Sequence, residues 1–117
     1  MEWYKPYLTV YEKPYSQAPK AIIEEVREKI SRLQSGSPLV TVSVIGYNEE
    51  KHLLACLWSL SNQVCKYSME IIGVDNDSKD CTAQIFQDTH VPYYTETQQS
   101  CGWARSCGLA HAKGKYH

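Results

Sequence analysis

Two short polar runs hold the residues best suited to chemistry: Gly46-Tyr47-Asn48-Glu49-Glu50 and Asp75-Asn76-Asp77-Ser78-Lys79-Asp80. The second is the denser. It opens Asp-x-Asp like a calcium loop, but such a loop needs glycine at its sixth place and glutamate at its twelfth. Asp80 and Phe86 stand there, which excludes it. Asp77 or Ser78 can cap the following helix, with Asp80 reaching back as in a capping box. Asp75 precedes that cap. A carboxylate at a strand end accepts hydrogen bonds from ribose hydroxyls or a base N–H, with turn chemistry as the competing account. In the first run Gly46 permits close backbone approach, and Tyr47 offers a ring that can stack on a base. Arg105 could meet a phosphate, although taken alone it reads as a solvated helix residue. A Gly-x-Gly-x-x-Gly run and a Walker lysine loop are both missing, which disfavours dinucleotide and NTPase readings.

The elements that must position these runs are legible in the pattern. Val40–Ile45 is β-branched at nearly every position and Met69–Val74 is a second apolar run, as buried parallel strands should be. Each precedes a polar run and then a helical pattern, giving strand–loop–helix twice over. In open sheets of this kind ligands settle beyond the carboxyl ends of the strands, where both polar runs lie. A helix is expected from Asn48 or nearby, with Glu49 and Glu50 in its first turn and Leu53, Leu57 and Leu60 on one face, widened by Leu54, Cys56 and Trp58. A second, from Ser78 to Gln87, should bury Cys81, Ile85 and Phe86. Val91–Tyr94 reads as a short third strand, with Pro92 marking an edge or a strand start. A further helix over 102–112 leads to Lys113–His117, the entrance to a fourth strand.

Before this block stand a segment rich in tyrosine and proline over residues 1–17 (Trp3, Tyr4, Tyr7, Tyr11, Tyr15) and a helix of Ile22, Ile23, Val26, Ile30 and Leu33 at helical spacing. Packing against the domain or a partner chain is the simpler role for the rings, and stacking on a sugar the other. Pro19 suits the helix's first turn, and Gly36 its end. The pairs Glu25/Lys29 and Glu28/Arg32 read as a solvated face, and Ser35–Pro38 as a linker, so the helix reads as an appendage.

The net charge of −1 comes with no cluster of Lys or Arg, so nothing supports a nucleic-acid surface. The N-terminus lacks the apolar core of a signal peptide, and no apolar run approaches the roughly 18–20 residues needed to cross a bilayer. A cytoplasmic chain is expected, free or peripheral at the inner face of the membrane. Its five cysteines form no Cys-x-x-Cys pair, so reduced and mostly buried thiols are expected. The four histidines show no ligand spacing.

Four blocks together resemble the family 2 glycosyltransferases, inverting enzymes of the GT-A fold. They are Val42–Glu50, close to a valine-rich strand followed by Pro-Thr-Tyr-Asn-Glu-Glu; Leu57–Gln63; Glu70–Asp80, close to EIIVVDDGSTD; and Gly102–Ala110 with Ala112–Tyr116. The sequence departs from the pattern where Ile45-Gly46 replaces Pro-Thr, Asn76 replaces the second Asp, and Ser106 replaces Asn. The resemblance implies a Rossmann-like GT-A half-domain over 39–117, a mostly parallel sheet of three to four strands flanked by helices, with residues 1–38 as an N-terminal extension. It implies a nucleotide-binding set of Gly46, Tyr47, Glu49, Asp75, Asn76 and Arg105: Tyr47 against the base, Asp75 and Asn76 on base and ribose, and Arg105 near the diphosphate. It also implies a nucleotide-diphosphate sugar donor, a carbohydrate or lipid-linked acceptor, and Mn²⁺ or Mg²⁺ held by a later Asp-x-Asp motif. That motif and the catalytic base are expected beyond residue 117, so this stretch alone is not expected to transfer a sugar. The alternative is a non-catalytic half-domain acting as a nucleotide-binding or oligomerisation module, with homo-oligomers formed through the aromatic N-terminus.

Overall fold

Residues 4–63 and 66–117 are described in this computed structural model, so Trp3 and Cys65 lie outside the described residues. The β-branched runs form Val40–Gly46 (β1) and Met69–Asp75 (β2), paired in parallel from Val40 opposite Met69 to Gly46 opposite Asp75. A short third strand, Tyr93–Thr95 (β3), lies on the far side of β2 and begins directly after Pro92, so the order is β1-β2-β3. The expected fourth strand is present as a single parallel bridge. Tyr116 pairs with Val40 on the other side of β1, its carbonyl accepting from the Thr41 N–H at 2.8 Å. The chain is thus an α/β unit with an open parallel sheet.

Alternate residues of the strands face two layers. Val44 and Ile71 belong to the main core, with helices Lys20–Leu33 (α1), Leu53–Ser61 (α2) and Thr82–Asp88 (α3). On that face Gly73 meets the Phe86 ring so closely that an added Cβ would lie 2.5 Å from it. The opposite face receives Cys101–His111 (α4), where Gly108 leaves room for Ser43 and Val74, and Ala104 is fully buried.

Helix α1 is no appendage. Val26 and Ile30 are fully buried in the same core, each contributing about 1.5–3 kcal/mol. Its charged side is not simply solvated either: Glu25 accepts the Trp58 indole N–H at 2.6 Å, and Lys29 reaches Asn62 at 2.7 Å. Glu28 and Arg32 do pair in solvent. Pro19 is the N-cap, and the helix ends before Gly36, at Gln34, whose amide bonds the Ile71 backbone on both its N–H and C=O groups.

The tyrosine-rich arm forms two short 3-10 turns, Lys5–Thr9 and Tyr15–Gln17. Packing is the role of several of its residues: Val10 is buried, Tyr7 sits edge-on to Trp58 at 5.1 Å, and the Tyr15 hydroxyl donates to Asp88 at 2.5 Å. The thiols depart from expectation. Cys56, Cys81 and Cys101 are exposed and Cys107 is partly so, because Cys56 points from α2 toward the arm while Cys81 and Cys101 stand at helix starts. Among the described residues no helix is long and apolar enough to cross a membrane.

Candidate functional site at the strand ends

Both polar loops turn through a left-handed residue, Asn48 at φ 51° and Asp77 at φ 60°. Asn and Asp are the non-glycine residues that tolerate this best. The turns lay the loops side by side, and the second caps the first. Ser78 Oγ accepts the Asn48 N–H at 2.9 Å, Thr82 Oγ1 the Glu49 N–H at 2.9 Å, and Asp80 Oδ2 the Glu50 N–H at 3.2 Å. In return Asn48 Oδ1 accepts the Lys79 N–H at 2.8 Å, and the Gly46 carbonyl accepts the Asn76 N–H at 2.9 Å.

This stitching moves two helix starts. The left-handed Asn48 cannot begin a helix, so Glu49 and Glu50 lie in a turn, and α2 begins at Leu53. Asp80 Oδ1 accepts both the N–H and the hydroxyl of Thr82, at 2.9 and 2.5 Å. Helix α3 therefore begins at Thr82, and neither Asp77 nor Ser78 is its N-cap. Gly46 has a packing role as well: a Cβ there would lie 2.9 Å from Thr82 Cγ2.

Asp75 and Asn76 are each only 5% exposed, at and just past the carboxyl end of β2. Asp75 Oδ1 accepts the Ser78 N–H at 3.1 Å. Its Oδ2 takes no hydrogen bond within the described residues and is not sealed from solvent. The Asn76 amide donates to the carbonyls of Glu96 and Gln98 at 2.8 and 2.9 Å, which ties the loop after β3 to this edge. Two carbonyl partners settle which end of the amide is nitrogen. Toward a ligand Asn76 therefore offers only its oxygen, so its extra donor capacity relative to aspartate is already engaged.

The remaining candidates divide. Tyr47 is 47% exposed at the end of β1, next to this edge. The Glu49 carboxylate turns to His52, at 2.9 Å from Nδ1. Arg105, exposed on α4, lines an open hollow along β1 with Val42, Ser43, Ile45 and His117, and makes no ion pair among the described residues.

No three His, Cys, Asp or Glu side chains among the described residues converge as metal ligands. Within Asp75-Asn76-Asp77 one Asp75 oxygen holds the Ser78 amide, and Asp77 faces the Lys79 ammonium at 3.8 Å. His52, without signal in the sequence, proves to be a junction, since its Nε2 lies 2.8 Å from Glu12 of the arm. The i,i+3 spacing of Glu49 and His52 was visible; the partner in the arm was not.

With this geometry in place, the chain's likeness to known proteins is specific. A family model described as glycosyl transferase family 2 matches residues 41–117. An uncharacterized glycosyltransferase of Rickettsia prowazekii (strain Madrid E) is 34% identical over 82 residues, covering 68% of this chain and 26% of the relative. The chain thus spans about a quarter of that relative's length. No solved structure matches at the same stringency.

Proposed function

The chain belongs to glycosyl transferase family 2, and on that premise we propose that it forms the nucleotide-sugar-binding part of an inverting glycosyltransferase. In the whole protein an acceptor hydroxyl attacks the anomeric carbon as its bond to the nucleoside diphosphate breaks. A base takes the hydroxyl proton and a cation neutralises the leaving group, and neither role is assigned to the strand-end residues here. The part played here is recognition of the donor.

The observation that carries this reading is Asp75. A nearly buried carboxylate at a strand's carboxyl end has one oxygen fixed by the Ser78 amide and the other unbonded among the described residues and not sealed from solvent. Such an oxygen is held ready for a ligand N–H or hydroxyl. Beside it Asn76 offers a second acceptor and Tyr47 an exposed ring. The capped amides at Asn48, Glu49 and Glu50 do not form an anion-binding nest, so this edge suits a nucleoside rather than a phosphate. Arg105 remains the cation available for the diphosphate.

Calorimetry with uridine, thymidine and guanosine diphosphates tests the reading. One of them should bind weakly, and Asp75→Asn, which keeps an acceptor for the Ser78 N–H, should abolish the heat while leaving the urea midpoint nearly in place. Equal affinity in both forms removes Asp75 from the site; no binding of any diphosphate removes the reading itself.

A further inference from the structure

We propose that His52 is a positioning residue whose imidazolium clasps the N-terminal arm to the first loop, so that arm docking and the placement of Glu49 respond to pH near neutrality. The link to nucleotide binding rests on the donor-site reading above; the clasp itself does not.

The geometry carries the argument. His52 Nδ1 lies 2.9 Å from Glu49 Oε2, and Nε2 lies 2.8 Å from Glu12 Oε1, two carboxylates from different segments. A neutral imidazole has one N–H and one lone pair, so it can donate to only one of them. Its bare nitrogen would then face the other carboxylate's negative charge. The arrangement is satisfied on both sides only when the ring carries both protons.

The titratable neighbours among the described residues bear on the same balance. From the arm come Glu12 and the Tyr11 ring, centred 5.0 Å away, with Tyr4 and Tyr7 lining the same groove. From the first loop comes Glu49; Lys51, next in the chain, contributes its carbonyl, which accepts the Glu12 N–H at 2.8 Å. From α2 comes Cys56, which keeps exposed surface but lies in the groove beneath the arm, where desolvation and then Glu49 push its thiol up, so it stays neutral and does not compete for the imidazolium. The hydrogen bonds to Glu12 and then Glu49 raise His52 above its ordinary 6.5. A raised histidine gives its contribution in full below 6.5 and loses it as pH rises through the folded-state value.

Beside the clasp, this part of the arm is held by the Lys51 backbone bond and by buried Val10. Tyr11 is 44% exposed and Leu8 49%, and Glu12 sits in a left-handed backbone at φ 62° that glutamate adopts only when held. Deprotonation of His52 therefore removes a fastening from a strained segment. The neutral ring keeps one N–H, for which Glu12 and Glu49 then compete, so the Glu49 carboxylate is held only part of the time.

The experiment is an NMR titration of the full chain from about pH 5.5 to 8.5, reading the His52 ring and the exchange protection of the Glu12 amide. Wild type should titrate above 6.5, and Glu12 protection should fall several-fold through the same midpoint. E12Q should lower the midpoint. H52Q should hold the arm loosely at every pH, and H52K, charged throughout, should keep it protected without a step. A midpoint at or below 6.5, the same step in H52Q, or H52K as loose as H52Q would each overturn the clasp. No nucleotide is present in this titration, so failure of the donor-site reading leaves its outcome intact.

Discussion

Gly46 and Thr82 offer the sharpest test of how the two loops are joined. A Cβ at Gly46 would lie 2.9 Å from Thr82 Cγ2, while the next neighbour, Glu49 Cβ, is at an ordinary 3.9 Å. Gly46 has no positive φ, so alanine there meets a steric obstacle and no backbone penalty. Thr82 is fully buried, and its hydroxyl is held between the Glu49 N–H and Asp80. The methyl cannot simply rotate away. Gly46→Ala should therefore cost about 1–3 kcal/mol, the usual cost of forcing one carbon into a packed interior. Thr82→Ser, which keeps the hydroxyl and removes the methyl, should cost about 1 kcal/mol alone. Together they should cost less than their sum by about 1 kcal/mol or more, well outside the roughly 0.3–0.5 kcal/mol scatter of independent sites. Thr82→Val is the control. It keeps a methyl but strands the Glu49 N–H, so it should cost about 1–3 kcal/mol and give no rescue. Urea denaturation of wild type, the two single variants and their combination, together with Thr82→Val alone and paired with Gly46→Ala, reads all of these terms. Additive costs for Gly46→Ala and Thr82→Ser would refute the claim that this contact sets the spacing of the loops.

Two further predictions follow, one from a buried carboxylate and one from a half-buried phenol. Glu70, only 7% exposed, accepts the Thr41 hydroxyl at 2.7 Å and the Lys113 N–H at 2.6 Å. Glu70→Ala should cost about 1–3 kcal/mol and accelerate amide exchange at Thr41 and Tyr116; unchanged exchange there would sink the idea that Glu70 delivers the chain to the free side of β1. The Tyr15 phenol, normally at 10.0, is pushed upward by burial and by Asp88 beside it. Because the raised group stays protonated in the folded state, stability should be flat in this term below pH 10.0 and fall above it. Tyr15→Phe should remove that alkaline fall, and a urea midpoint that declines identically in both proteins would contradict the assignment.

What could be read from the residues was whatever local pattern determines. Strands β1 and β2 are nearly continuous β-branched and apolar runs, and their observed bounds extend the expected ones by a single residue each, to Gly46 and Asp75. The alignment of four motif blocks found the family. What could not be read depends on partners distant in the chain. The caps on Asn48, Glu49 and Glu50 come from side chains about thirty residues later, and these, not the local propensity of Asn48, decide where α2 begins. Val26 and Ile30 had the spacing of a buried stripe, but the Ser-Gly-Ser-Pro stretch after them suggested separation, and a linker's composition says nothing of where its ends dock. Cys56 and Cys81 were placed inside by their apolar character; a small thiol at a helix start or beneath an arm satisfies the same composition. Arg105 aligned with the family motif, yet its surroundings along β1 could not be inferred from spacing.

The hydrogen-bond directions at the strand ends narrow what this edge can recognise. The amides of the first loop point into oxygens of the second, and the Asn76 N–H groups point into the carbonyls of Glu96 and Gln98. These donors are consumed inside the protein. The oxygens left facing outward, Asp75 Oδ2 and Asn76 Oδ1, can only accept. An edge of acceptors repels a bare phosphate and attracts groups that bring their own hydrogens, such as a base N–H or paired ribose hydroxyls. Buried at 5% exposure and already braced, these acceptors need no rearrangement when a nucleoside arrives, which lowers the ordering cost of binding. The charge of a diphosphate must then be met by groups off this edge. A division of labour follows, in which the strand ends choose the nucleoside and cations placed elsewhere carry the phosphates. On that division, replacing Arg105 should weaken diphosphates and leave nucleosides untouched, whereas replacing Asp75 should weaken both alike.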